Sequence, residues 1–142
     1  MLDQQQSLSS KKSAKHPLSI VVVEDNEQEL MLYEQQFELF ELNADIHISK
    51  DGYAGLINIG KTSPDIIITD LMMPNMNGFE MIKAIKENSD LVHCLIIVVS
   101  ALTKDEIRIR GGLPDDVLVF RKPLPFNELE NLVREKVSSN VT

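Results

Sequence analysis

Five short runs of Ile and Val recur along this chain at 18–23, 45–49, 65–69, 95–100 and 117–121, and most of them lack polar alternation. A strand with one face in water alternates apolar and polar residues. A run without that alternation reads as a strand covered on both faces, as in a parallel sheet. Amphipathic segments separate the runs. Asn26 followed by Glu29 has capping-box spacing, and Leu30, Tyr33, Phe37 and Phe40 then share one helical face. Shorter helical pieces are expected at 53–59 and 80–87, a weak one at 103–110, and a last one after Pro125 carrying Phe126, Leu129, Leu132, Val133 and Val137. Five β-then-α units in series predict a single doubly wound α/β domain.

Residues 1–16 do not share this pattern. They hold three Gln, four Ser and three Lys without apolar periodicity, and are expected to be a disordered lead-in. The domain proper is expected over 17–138, with a short C-terminal tail at 139–142. At 142 residues with 43% apolar content, one domain with a real core is the natural outcome. A net charge of −8 argues against a general nucleic-acid surface. Cys94 is the only cysteine, so no internal disulfide can form, and a small core residue is its plain reading. No apolar stretch reaches the roughly 18–20 residues of a membrane span, and no signal-peptide core opens the chain. Cytoplasmic residence is the resulting expectation.

Charged and hydroxyl groups stand where the strands end. Glu24-Asp25 follow the first run, Asp70 the third, Ser100 closes the fourth and Lys122 follows the fifth. Doubly wound sheets bind ligands at the carboxyl ends of their strands. Singly, each residue has a plain reading: a solvated helix start, a turn acid, a strand-end hydroxyl, a surface lysine. Together they suit phosphoryl transfer. A carboxylate can attack phosphorus, Mg²⁺ favours one or two carboxylates, and a lysine with a hydroxyl can hold phosphoryl oxygens. His16, His47 and His93 show no metal-ligand spacing. The methionines around Asp70 read as packing residues.

With Val22-Val23-Glu24-Asp25-Asn26, the loop Asp70-Leu71-Met72-Met73-Pro74-Asn75-Met76-Asn77-Gly78-Phe79-Glu80, Val99-Ser100-Ala101 and Lys122-Pro123 in order, the chain resembles the receiver domains of two-component response regulators over about 18–137. Ser100 lies 30 residues and Lys122 52 residues after Asp70, spacings that fit this family. The resemblance implies a flavodoxin-like (βα)5 fold with a parallel sheet of order 2-1-3-4-5. It implies that Asp70 accepts a phosphoryl group from a sensor histidine kinase or histidine phosphotransfer protein. It also implies Mg²⁺ held by Asp25, Asp70 and the Met72 carbonyl, with Glu24 acting through water. Ser100 and Lys122 would bind the phosphoryl oxygens, and the Lys122-Pro123 bond would be cis. The expected product is a signalling switch, not an enzyme: a single-domain receiver without an effector domain, acting on a downstream protein. A phosphatase using Asp70 as nucleophile is the alternative, but phosphatases of the haloacid-dehalogenase type place a second Asp where Met72 stands. A phosphorylation-independent pseudo-receiver usually lacks the acidic pair or the lysine, and both are present here.

Three departures from the family pattern carry expectations. The position three residues before Lys122, often aromatic, is Val119. Phe120 should face the other side of the strand unless a one-residue bulge intervenes. Gly111-Gly112-Leu113-Pro114 should shorten the fourth helix. Met72 and Leu102, at positions that tune aspartyl-phosphate hydrolysis in the family, are apolar and predict slow self-dephosphorylation.

Overall fold

Strand parity splits the core in two, because successive side chains on a strand point to opposite faces of the sheet. The computed structural model describes residues 17–141, so the lead-in expected at 1–16 lies outside the described residues. The elements run β1 (Leu18–Val23), α1 (Glu27–Phe40), β2 (Ala44–Ser49), α2 (Gly52–Thr62), β3 (Ile66–Thr69), α3 (Gly78–Lys86), a 3₁₀ turn (Ser89–Leu91), β4 (Leu95–Ser100), α4 (Lys104–Ile109), β5 (Leu118–Arg121) and α5 (Phe126–Val141). The five strands form one parallel sheet of order β2-β1-β3-β4-β5, as the resemblance implied. The last helix runs through residues that the sequence reading set aside as a tail.

Val21, Val23, Ile67, Ile96 and Val98 face one side, where α2, α3 and α4 bring Ile59, Met81, Ile82, Ile85 and Ile107. Ile20, Val22, Ile66, Ile68, Ile97 and Val99 face the other, against Leu30, Tyr33, Phe37 and Phe40 of α1 and Leu129 and Val133 of α5. Each such side chain contributes about 1.5–3 kcal/mol when fully buried. Two apolar faces on one strand explain why β1, β3 and β4 show no alternation. Cys94 is buried in the first cluster, and burial pushes its thiol up to about 12, so it is a packing residue without nucleophilic character.

The loop after β3 is tied down where α3 begins. The Gly78 amide donates to the Leu71 carbonyl at 2.9 Å. A Cβ on Gly78 would run into the Asp70 carbonyl oxygen and the Leu71 Cα. Only glycine allows this approach. Asn77 and Glu80 then close a full capping box on α3.

The fourth helix is short, as Gly111-Gly112 led us to expect. α4 has six residues and buries only Ile107. Gly112 N–H donates to the Ile107 carbonyl at 2.9 Å and Gly111 N–H to the Arg108 carbonyl at 3.1 Å, a Schellman closure with Gly111 at φ 113°. In β5 the ladder runs Val98↔Val119 and Val99↔Phe120 without a bulge. Phe120 therefore packs toward α1 and α5, and Val119, 43% exposed, stands on the other face.

Two glycine substitutions separate close approach from helix propensity. Gly78→Ala should destabilise by about 1–3 kcal/mol, since a backbone must move. Gly60→Ala, in α2 with open space around it, should stabilise by about 0.5–1 kcal/mol. Urea unfolding of both variants checks this; equal effects would contradict the packing at Gly78.

Candidate functional site

Parallel strands in register deliver their C-terminal ends to one edge, and the groups that follow them meet there. The Asp70 amide donates to the Val23 carbonyl at 3.2 Å, which places Asp70 beside Glu24 and Asp25. Asp70 is 8% exposed, and its two oxygens are held differently. Oδ1 accepts from the Leu71 amide at 2.6 Å and the Met72 amide at 3.4 Å. Oδ2 accepts from Lys122 Nζ at 2.9 Å.

Lys122 is the hub. Its ammonium also meets Glu24 Oε1 at 3.4 Å and Glu29 Oε1 at 2.8 Å. Burial works against its charge, but hydrogen bonds to Glu29 and Asp70 and the charges of Asp70 and Glu24 outweigh that and raise its pKa above the ordinary lysine value. Its backbone is fixed too: the Lys122 amide donates to the Ser100 carbonyl at 2.9 Å, and the Lys122-Pro123 bond is cis.

Glu24 bears the cost of this crowding. It is 2% exposed. Burial first, then the charges of Asp70 and Glu29, push its carboxyl up to about 7, against the opposing pull of the Asn26 amide and Lys122. Glu24 Oε2 accepts from that amide at 3.0 Å.

Glu24, Asp25 and Asp70 each offer an oxygen within 4.8 Å of the others, and Asp25 is exposed. Hard carboxylate oxygens around an open face, with Glu24 made hard to ionise by burial and then by its acidic neighbours, fit a small divalent cation such as Mg²⁺. The structure thus brings together Glu24, Asp25, Asp70 and Lys122, and sets the Met72 backbone beside Asp70. Ser100 stands at the same edge, fully buried, but its Oγ accepts from the Leu102 amide at 3.1 Å and makes no hydrogen bond to Asp70.

Sequence reading missed Glu29 as a site residue. Asn26 caps α1 by accepting from the Glu29 amide at 3.0 Å, as expected. The reciprocal half of the capping box is absent. The Glu29 carboxylate goes to Lys122, and the Asn26 amide it would have taken goes to Glu24. The spacing Asn26-Glu29 has a sufficient local explanation, so nothing in it signals a partner 93 residues away.

Among the described residues no helix is long and apolar enough to cross a membrane. A sequence model described as the response regulator receiver domain matches residues 20–134. The chain is 30% identical over 129 residues to the probable methanogenesis regulatory protein FilR2 of Methanothrix harundinacea, covering 86% of this chain and 83% of that protein. It is 35% identical over 115 residues to the response regulator ArlR of Staphylococcus saprophyticus, covering 81% of this chain and half of ArlR's length. Among solved structures, the signal receiver domain of a DNA-binding response regulator (merR) from Colwellia psychrerythraea superposes with a TM-score of 0.72 at 28% identity, covering 85% of this chain and 98% of that one.

Glu24 gives a pH signature. Its folded pKa lies above the unfolded 4.5, so its stabilising contribution is complete below about 4.5 and lost as pH rises to about 7. In chelator, Glu24→Gln should therefore raise the melting temperature at pH 8 by a few degrees, roughly 2–4 °C per kcal/mol. Near pH 5, where the wild-type carboxyl is protonated in the folded state, most of the gain should vanish. Thermal melts at the two pH values test this; a gain equal at both would refute it.

Proposed function

Because the chain belongs to the response regulator receiver domain family, we propose that it is a phosphorylation switch in which Asp70 is the phosphoacceptor. One observation carries this reading: an aspartate whose one oxygen is held by backbone amides and whose other oxygen rests on a lysine, with two further carboxylates alongside. The donor is a histidine kinase or a histidine phosphotransfer protein. An Asp70 oxygen forms a bond to phosphorus as the phosphorus–nitrogen bond of phosphohistidine breaks; the electron pair leaves with the imidazole nitrogen, which takes up a proton. Mg²⁺, held by Asp25, Asp70 and the Met72 carbonyl, with Glu24 through water, would supply positive charge against the transferred phosphoryl oxygens.

The protein's own residues do the rest by position and charge. The Leu71 and Met72 amides orient the carboxylate. Lys122 follows the charge from carboxylate to phosphoryl. Ser100 turns its O–H to donate to a phosphoryl oxygen, and the loop leading into α4 moves with it. A protein partner reads that movement.

Incubation with phosphoramidate and Mg²⁺ should add the mass of one phosphoryl group to wild type and none to Asp70→Asn, read by intact mass spectrometry. No gain in wild type sinks the proposal. Met72 is 47% exposed and Leu102 half-buried, and neither side chain can orient an attacking water. The phosphoryl group should therefore be long-lived, and Met72→Asn should shorten its lifetime. A lifetime of seconds in purified protein that Met72→Asn does not change would defeat this.

A further inference from the structure

Lys122 has no spare donor in the resting site. An ammonium has three N–H donors, and all three have acidic partners here: Glu29 at 2.8 Å, Asp70 at 2.9 Å and Glu24 at 3.4 Å. A phosphoryl group on Asp70 needs at least one of these donors. Glu24 is buried, held by the Asn26 amide and close to Asp70. Glu29 is different, because its side chain is 34% exposed at the rim and can return to water at little desolvation cost. Both of its oxygens lie within reach of the ammonium, at 2.8 and 3.1 Å.

We propose that Glu29 is a counter-ligand of Lys122 that competes with a phosphoryl group on Asp70, and so sets how readily the site is loaded. The inference rests on Asp70 being the phosphoacceptor. Glu29 acts on the chemistry through Lys122 and is a positioning residue. In the resting site it holds the ammonium toward α1 and adds a negative charge where a phosphoryl dianion must enter. On loading it lets go. Its place at the third position of α1, behind Asn26, gives it an alternative partner: the Asn26 amide, which Glu24 occupies in the resting arrangement.

The test compares wild type, Glu29→Gln and Glu27→Gln for binding of beryllofluoride with Mg²⁺ and for initial rate of phosphorylation by phosphoramidate. Glu27 is the control, an acid in the same helical turn that pairs with Lys50 and does not touch Lys122. Glu29→Gln should bind beryllofluoride roughly three- to tenfold more tightly at low salt, with a matching rise in rate, and the gain should shrink in about 1 M KCl. Glu27→Gln should match wild type. A residue that merely anchors α1 would lower stability when changed and leave probe affinity and its salt dependence alone. Affinity in Glu29→Gln equal to or below wild type, or an equal gain in Glu27→Gln, overturns the inference and leaves the phosphoacceptor reading standing. No uptake of either probe by wild type overturns both.

Discussion

One ammonium at the edge of a parallel sheet keeps four carboxylates in one place. Lys122 contacts three of them, and Asp25 stands beside the group. No helix or strand in this molecule needs that arrangement for its own sake. Its cost is visible in Glu24, whose pKa burial and then its acidic neighbours push up to about 7. The stability that the two core layers supply is what allows such a charged rim to persist. A site of this kind is poised for added positive charge.

The strands were legible because burial on both faces erases alternation, and β1 and β4 fall where the Ile and Val runs place them. The edge strand β2 was equally readable, although only its apolar residues alternate inward. The shortened α4 followed from two glycines, since positive φ at Gly111 and Gly112 ends a helix whatever lies around it. Four charged site residues could be placed because strand ends in a doubly wound sheet share one edge. What could not be read were choices between competing partners. Glu29 and Asn26 satisfy a local rule on paper, yet a distant lysine offers the carboxylate a stronger, charge-assisted bond. The Ser100 oxygen likewise takes a local donor, the Leu102 amide, that its place at a strand end does not announce.

The two core layers divide the labour. The α2, α3 and α4 side carries the loop of Asp70 to Gly78 and the short fourth helix, so it holds the parts that follow the site. The α1 and α5 side is built on a larger aromatic set, with Tyr33 packed edge-on to Phe126 and Phe37 to Phe40. Phe120 joins this second layer, which leaves the first without an aromatic on β5. That face therefore offers only aliphatic packing on β5 beside Ser100, with no ring there to rotate.

The exposure of β5 has another consequence. Leu118 and Val119 lie uncovered on the last strand of the sheet, the kind of surface that invites strand-to-strand aggregation. That strand is only four residues long, ends in Arg121, and is followed at once by a lysine and a proline. A second chain therefore finds a template too short to extend the sheet, closed at its end by a proline that offers no N–H. Brevity thus guards this edge, where Val119 lies on the α4 face of β5 and Leu118 on the opposite one.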